Sequence, residues 1–288
     1  MSKPVCSNIS FPPTSFVLLS IGSTQLGSAI AKSLFDELSP IGMVFLRVGF
    51  AAIVLMLLWR PSIRSPSHTN YLALVLFGLS LTLMNLVFYL AVARIPLGVA
   101  VTLEFIGPLG VAIATSRQWL DGLWVVLAGL GIILLAPIGN AAFDPIGVAL
   151  AVVAGGFWAA YILLSARVGQ VAPGGGGLAL AMTFGAIVLI PFGIVSGGQA
   201  LLQPHLVMMG FGVAMLSSAL PYSLELEALR SLPVRVFGVL LSLEPVAAAV
   251  IGFLVLRETL ELQAIVAIAL VSIAAAGSSR FASSIEAP

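Results

Sequence analysis

Long apolar runs separated by short polar connectors dominate the sequence. A helix that crosses a bilayer needs about 20 mostly apolar residues. By that measure the pattern predicts ten membrane spans, at residues 16–35, 41–59, 71–93, 97–115, 122–138, 146–166, 178–195, 206–229, 234–256 and 260–278. The longest polar connector, 60–70, separates the second and third spans. The pattern therefore predicts an all-α membrane protein with little structure outside the membrane.

The charged residues are too few for a water-soluble protein. They make up 8% of the 288 residues, whereas soluble domains carry about 25%. The net charge of +1 comes with no basic patch, which argues against nucleic-acid binding. The single cysteine, Cys6, excludes an intramolecular disulfide, and His68 and His205 lie near predicted span edges, where a metal site is not expected. No cofactor or metal is therefore expected.

The lysines and arginines predict the orientation of the spans. With the N-terminus in the cytoplasm and ten alternating spans, eight of these residues fall on the cytoplasmic side, namely Lys3, Arg60, Arg64, Arg117, Arg167, Arg230, Arg235 and Arg280. Arg94 and Arg257 fall on the outer side. Cytoplasmic loops normally carry the positive excess, so residues 1–15 and 280–288 are expected in the cytoplasm. Gln25 interrupts the first apolar run, which favours a retained span over a cleaved signal peptide.

The chain repeats itself at an offset of about half its length. Pro96 and Pro233 are 137 residues apart, as are Pro108 and Pro245 and the acids Asp121 and Glu258. The residues 52–55 match 186–189 at an offset of 134. Each half, 16–138 and 146–279, then holds five spans, and because five is odd the second half enters the membrane from the opposite side. Transporters built from such inverted repeats bind substrate between the halves, near the midplane.

Two carboxylic acids stand out because they fall inside predicted spans. Glu104 lies between Pro96 and Pro108, and Glu244 directly precedes Pro245. In the repeat Glu244 corresponds to Gly107, so the acids sit one helical turn apart on equivalent helices. Ionisable groups at this depth are costly and typical of functional sites. Either acid is expected to bind a proton or a substrate ammonium; the alternative is a packing hydrogen bond between helices.

Four further charged side chains lie in or near the predicted spans. Glu225 follows Pro221-Tyr222, whereas Glu227 is near enough to the span end to reach water. Arg47 lies several residues inside the second span and needs a partner, which is either a substrate carboxylate or one of the glutamates. Lys32 lies near the outer end of the first span, beside Asp36 and Glu37, and is interpreted mainly as reaching the surface.

Uncharged polar and aromatic residues complete the set, and each polar one offers a directional hydrogen bond. The polar ones are Gln25, Asn85, Tyr89, Tyr161, Tyr222 and Ser223. Trp158 and Tyr161 are one turn apart and form either one wall of a pocket or a packing contact. Four prolines inside spans, Pro108, Pro191, Pro221 and Pro245, are expected to bend helices and free carbonyl groups. Four glycines, Gly107, Gly110, Gly238 and Gly252, are expected to let helices approach closely.

Two stretches carry a resemblance to a known family. They are residues 84–113, MNLVFYLAVARIPLGVAVTLEFIGPLGVAI, and 216–250, LSSALPYSLELEALRSLPVRVFGVLLSLEPVAAAV, supported by 27–35 and the segment around Arg47. On these residues the chain resembles the drug/metabolite transporter superfamily in its two-copy EamA branch, and within it the exporters of threonine and homoserine. The resemblance implies ten helices in two inverted repeats, both termini in the cytoplasm, and export driven by an ion gradient or by exchange.

These observations lead to one main hypothesis, an inner-membrane exporter of small amino acids that works by alternating access and is coupled to protons. Glu104 and Glu244 would bind the ammonium group or the proton. Its other expected site residues are Arg47, Asn85, Tyr89, Trp158, Tyr161, Tyr222 and Glu225. The alternative is export of another metabolite or a cationic drug by the same fold. A membrane enzyme is disfavoured because HExxH and GxSxG motifs are absent from the sequence. The partners expected are a small-molecule substrate and the lipid bilayer, and the sequence leaves a homodimer open.

Overall fold

The computed structural model describes residues 12–61, 68–115, 121–135, 143–171 and 175–281, and these are all-helical apart from their connectors. Several features predicted from the sequence lie outside the described residues. They are Lys3, Cys6, Arg64, Arg117, the end of the fifth span at 138 and most of the tail at 280–288.

The first part of the chain, up to residue 135, forms six helices. They are α1 Pro13–Ser33, α2 Pro40–Trp59, α3 His68–Val92, α4 Leu97–Glu104, α5 Ile106–Thr115 and α6 Asp121–Leu135. The second part forms α7 Pro145–Val171, α8 Gly176–Gly197, α9 Pro204–Ala214, α10 Leu220–Ser231, α11 Val234–Leu241, α12 Glu244–Leu256 and α13 Leu262–Phe281. A 3-10 turn, Gly198–Leu202, precedes α9, and a π-helical turn, Met215–Ala219, joins α9 to α10.

Eight helical stretches are long and apolar enough to cross a membrane, and two shorter apolar helices occupy Gly122–Leu134 and Leu262–Gly277. The eight coincide with eight of the predicted spans, and the two shorter helices lie at the fifth and tenth. Many large apolar side chains point outward, for example Leu57, Val195 and Leu254. An outward apolar surface suits lipid, so the structure is that of a multi-pass membrane protein.

Prolines begin several of these helices. Pro13, Pro40 and Pro204 stand at first-turn positions, where the missing N–H leaves no bond unmade. Ser39 adds a side-chain cap for α2, because its Oγ accepts from the N–H of Gly42 at 3.2 Å. Local sequence therefore determines where these helices start.

Two predicted spans are broken helices, not continuous ones. The span 97–115 divides at Phe105 into α4 and α5, and the span 234–256 divides at Ser242 and Leu243 into α11 and α12. Pro108 and Pro245 lie in the first turn after each break. Each proline lacks the N–H that would bond the carbonyl four residues earlier, so the expected bends are present. Pro221 likewise follows the π-helical turn, whereas Pro191 lies inside a continuous α8.

The helices of the two parts interleave. α3 packs on α7 and α8, α2 on α8 and α9, α1 on α10 and α12, α4 on α7 and α12, and α6 on α13. Gly107 contributes to one crossing, since a Cβ there would collide with the backbone carbonyl of Gly155. A Cβ at Gly252 would meet the Glu258 carboxylate at 2.7 Å. Open space surrounds Gly110, so the expected close approach is wrong there, and for Gly238 it stays a prediction.

An ion cluster ties three elements together at one end of the bundle. Lys32 Nζ lies 2.6 Å from Glu258 Oε1 and donates to the carbonyl of Ile95 at 2.7 Å. The other Glu258 oxygen accepts from the N–H of Leu97, the first residue of α4, at 2.9 Å. Lys32 therefore does not simply reach the surface beside Asp36 and Glu37, as the sequence had suggested. It joins α1 to the start of α4 and to the segment after α12.

Candidate functional site

Three glutamates from three helices share the interior of the bundle. The helix breaks make Glu104 the last residue of α4 and Glu244 the first of α12, while Glu225 lies in α10. Glu104 and Glu244 are buried, with 7% and 8% of their surfaces exposed. Glu244 lies within electrostatic range of both Glu104 and Glu225. The structure therefore brings together the acids that the repeat predicted as near-equivalents, and adds Glu225 to them.

The hydrogen bonding of these carboxyl groups is uneven. Glu225 Oε1 accepts from Ser20 Oγ of α1 at 2.6 Å. Among the described residues, neither Glu104 nor Glu244 has a hydrogen-bond partner for its carboxyl group. The packing hydrogen bond that was the alternative interpretation is thus not formed by either acid. Buried carboxylates without partners are costly, so both groups are suited to an added proton or a cationic ligand.

Arg47 brings a positive charge to the same interior and is 4% exposed. Its Nε donates to Ser218 Oγ at 3.0 Å, and its Nη2 donates to the carbonyl of Ser217 at 2.8 Å. The guanidinium carbon lies 5.1 Å from the ring centroid of Tyr89, a cation–π distance. Within the described part of the chain Arg47 forms no salt bridge, although Glu104 lies in electrostatic range. The expected direct pairing with a glutamate is therefore not observed.

The interior holds three carboxyl groups and one guanidinium, so it has an excess of negative charge when all of them are ionised. Charges inside a membrane need compensation, because neither lipid nor protein interior solvates them well. Protons or the cationic part of a ligand can supply it. The carboxyl groups of this site are thus chemically suited to exchange a bound proton for the ammonium group of a ligand.

Asn85 and the three tyrosines surround this cluster. Asn85 Nδ2 donates to the carbonyl of Leu81 at 2.8 Å, and its side chain lies near the hydroxyl of Tyr222. Tyr161 lies within electrostatic range of Tyr222 and Glu225, and its ring stacks on Phe77 at 5.0 Å. The buried hydroxyl of Tyr89 has no partner among the described residues.

Trp158 lies at the edge of this group. Its ring meets Phe105, the residue at the α4–α5 break, edge-on at 5.4 Å. Phe105 belongs to an apolar cluster with Leu109 and Ala274, so packing accounts for this contact. The two aromatic site candidates on α7 therefore differ, since Tyr161 lies within electrostatic range of Glu225 and Trp158 packs beside the helix break.

Sequence reasoning missed three serines. Ser20 binds Glu225, and the backbone of Ser217 and the hydroxyl of Ser218 bind Arg47. Serines in membrane helices usually bond the carbonyl of their own previous turn, as Ser223 does with Ala219 at 2.7 Å. Ser217 and Ser218, four and three residues before Pro221, could have been identified from the sequence, because that proline cannot donate to the carbonyl of Ser217.

Comparison with known proteins identifies the family of this chain. The sequence model of the EamA-like transporter family matches residues 145–280. The threonine/homoserine exporter RhtA of Salmonella typhimurium strain LT2 is 42% identical over 268 residues, which cover 92% of this chain and 90% of the relative. This chain belongs to the EamA-like transporter family. The Escherichia coli K12 threonine/homoserine exporter RhtA is 42% identical over 250 residues, or 86% of this chain and 84% of that protein.

One solved crystal structure shares the fold of this EamA-like transporter. It is 16% identical, has a TM-score of 0.67, and covers 93% of this chain and 97% of its own. The relatives are named as exporters and not as enzymes. The buried cluster of this EamA-like transporter is accordingly a candidate transport site and not a catalytic centre.

Proposed function

We propose that this protein exports small amino acids of the threonine and homoserine type across the inner membrane, in exchange for protons. The observation that carries the proposal is the interior cluster of Glu104, Glu225 and Glu244 with Arg47, because a zwitterion needs an anionic and a cationic partner at once. The relatives named as threonine/homoserine exporters, at 42% identity, supply the substrate class.

The proposed architecture has ten spans in two inverted repeats, 16–138 and 146–279, with both termini in the cytoplasm. Two features support it. α4 and α11 have the same length of eight residues, and each is preceded by a proline of the 137-residue offset. The packing also matches under exchange of the halves, since the contact of α3 with α7 corresponds to that of α10 with α1. The distribution of lysine and arginine supports the orientation.

The proposed substrate contacts follow from charge. Glu104 or Glu244 binds the ammonium group, because both are buried and their carboxyl groups have no hydrogen-bond partner within the described ranges. Arg47 binds the carboxylate, since it too lacks an anionic partner among the described residues. Asn85, Tyr89, Tyr161 and Tyr222 are the hydrogen-bonding groups around the bound molecule, Glu225 is a further acid, and Trp158 borders the site.

Exchange of proton and substrate at one carboxylate would couple the two movements. Facing the outside, the carboxylate takes up a proton and the substrate ammonium leaves. Facing the cytoplasm, the carboxyl loses the proton and binds the ammonium of the next substrate. Alternating access of this kind between two halves is typical of inverted-repeat transporters.

Reconstitution in proteoliposomes tests this proposal directly. Counterflow of labelled threonine and homoserine is expected with the purified protein, and a proton gradient is expected to drive uphill movement that a protonophore abolishes. Empty liposomes and a panel of unrelated amino acids serve as controls. Failure to exchange any amino acid of the panel would remove the substrate assignment. Exchange without any response to the gradient would remove the proton coupling.

A second candidate substrate class is cationic drugs or other cationic metabolites. The excess of carboxyl groups over guanidinium groups in the interior favours it, because a cation would compensate that charge without a carboxylate of its own. Growth of overproducing cells on a toxicity panel separates the two. Resistance to organic cations without resistance to threonine analogues would favour this second candidate.

A further inference from the structure

Ser218 is the hydroxyl partner of the interior guanidinium, and no role follows for it from the family. We infer that Ser218 and the π-helical turn around it position Arg47 to bind the substrate carboxylate through the outer edge of its guanidinium. The inference rests on the proposed function for the identity of the substrate, and it assigns Ser218 as a positioning residue that does not itself touch the substrate.

The hydrogen bonds of Arg47 to the described residues leave one edge of its guanidinium free to bind a ligand. A guanidinium has five N–H donors in a planar fork and matches a carboxylate with two parallel bonds. Ser218 Oγ and the carbonyl of Ser217 occupy Nε and Nη2, which form one edge of the fork. Nη1 donates no hydrogen bond to the described residues. The Nη1–Nη2 edge therefore still presents two donors side by side.

The main chain explains why an acceptor stands beside Arg47. Pro221 has no N–H to offer the carbonyl of Ser217, four residues earlier, and the chain forms a π-helical turn over Met215–Ala219. Such turns are frequent at functional sites. Nη2 of Arg47 takes up this carbonyl at 2.8 Å. A proline on α10 thus creates the acceptor that a side chain on α2 uses.

Both sides of this arrangement are held by neighbouring helices. Gly27 of α1 lies directly against the side chain of Ser217, where any Cβ would collide with its hydroxyl. On the other side the Tyr89 ring lies 5.1 Å from the guanidinium carbon. Ser218 itself is fully buried. The turn and the guanidinium are therefore packed between α1 and α3.

The charge balance identifies the class of ligand. A buried guanidinium with only neutral acceptors has paid its desolvation without gaining an ion pair. The ligand that completes it is an anion with two oxygens in one plane. In a zwitterionic substrate whose ammonium group is held by a glutamate, the α-carboxylate is that anion.

The test compares threonine with threoninamide, which keeps the ammonium and hydroxyl groups and loses the carboxylate. Both are measured as competitors of labelled threonine counterflow in proteoliposomes. Wild-type protein is expected to bind threonine at least about tenfold more tightly than threoninamide, as for a charge-assisted hydrogen-bonded pair. Ser218→Ala is expected to raise KM for threonine about fivefold, to leave the maximal rate within about twofold, and to leave the affinity for threoninamide unchanged.

Ser223→Ala is the matched control, because Ser223 lies on the same span and bonds only its own helix at Ala219. It is expected to behave as wild type. Equal competition by threonine and threoninamide in the wild-type protein would overturn the inference while leaving amino-acid export intact, and it needs no variant to fold. An equal loss of affinity for both ligands in Ser218→Ala, or a lower maximal rate at unchanged KM, would also overturn it. Absence of threonine counterflow in the wild type would overturn the proposed function first and this assignment with it.

Discussion

Two glutamates lie at the two ends of α4 with different surroundings: Glu258 of the segment after α12 at its start, and Glu104 as its last residue. At its start, Glu258 has one oxygen on Lys32 at 2.6 Å and the other on the N–H of Leu97 at 2.9 Å. At its end, the carboxyl group of Glu104 has no hydrogen-bond partner among the described residues and only a distant attraction to Arg47. The eight-residue length of α4 therefore separates a glutamate with partners for both oxygens from one whose carboxyl group has no hydrogen-bond partner among the described residues.

The difference separates structure from function on physical grounds. A carboxylate that caps a helix and pairs with an ammonium group stabilises the folded state, because these interactions offset its desolvation free energy. A buried carboxyl group without such partners destabilises the folded state, and inside a membrane such groups are typical of functional sites. Glu258 is therefore interpreted as a structural group, and Glu104 and Glu244 as the groups that meet ions and substrate.

The largest expected effect tests this division at the Glu104 end of α4. Glu104→Gln removes the exchangeable proton and the charge, so gradient-driven threonine transport is expected to fall at least about tenfold. Glu244→Gln is measured beside it. If one carboxylate exchanges proton and ammonium, as proposed, the variant at that carboxylate loses both uphill transport and counterflow. A variant that loses uphill transport and keeps counterflow would instead identify a proton carrier separate from the ammonium partner.

The control for that pair is Glu258→Gln, which neutralises an acid at the other end of the same helix. It is expected to keep more than half of the uphill transport at 25 °C, because the cluster at Glu258 lies outside the transport site. Wild-type coupling in Glu104→Gln, or a transport loss in Glu258→Gln as large as in Glu104→Gln, would contradict the division.

The next effect concerns the helix crossing beside Glu104. Gly107→Ala places a Cβ against the carbonyl of Gly155, and Gly155 in turn lies against the carbonyl of Glu104. Because backbone meets backbone, the helices must separate, and we expect a loss of about 2 kcal/mol or more in stability together with a several-fold loss of transport. Thermal unfolding in detergent and counterflow are the measurements.

Gly110→Ala is the matched variant for that crossing. Gly110 lies one turn further on α5 with open space around it, so a Cβ is accommodated and the lower flexibility of alanine adds about 0.5 kcal/mol of stability. Unchanged melting in Gly107→Ala would mean that the crossing is looser than the structure indicates.

A smaller effect is expected at the ion pair of Lys32 and Glu258, at the start of α4. Lys32→Met leaves Glu258 partly buried without its ammonium partner, and Glu258→Gln leaves Lys32 without a counter-ion. Each change is expected to cost about 2 kcal/mol and to lower the melting temperature by several degrees. The double variant is expected to lose less than the sum, since the partners share one interaction. Glu261→Gln, in the same connector and exposed, serves as control. Fully additive losses would show that the two side chains do not interact.

The sequence could predict the apolar helices and the unusual acids, because both are properties of local composition. The prolines Pro108 and Pro245 predicted bends in the spans of Glu104 and Glu244, and both spans are broken beside these acids. The sequence alone could not predict that Arg47 binds Ser218 and the carbonyl of Ser217. That carbonyl is free to accept only because Pro221 has no N–H and the backbone forms a π-helical turn. Nor could the sequence alone pair Lys32 with Glu258, since their contact depends on how α1 and α12 pack in space.

The smallest effect is expected at the surface ion pair of Asp144 and Arg94, near the start of α4. Asp144 binds Arg94 at 2.9 Å and caps α7 through the N–H of Ile146. The Arg94 side chain, and then that backbone N–H, lower the pKa of Asp144 below its ordinary value. A carboxylate with a lowered pKa in the folded state stabilises the protein above its unfolded-state pKa of about 4, and this contribution is lost as the pH falls through the folded value. Asp144→Asn is therefore expected to lower the melting temperature slightly at pH 7 and to differ less from wild type below about pH 4. A difference that grows on acidification would show that the Asp144 carboxylate does not stabilise this loop.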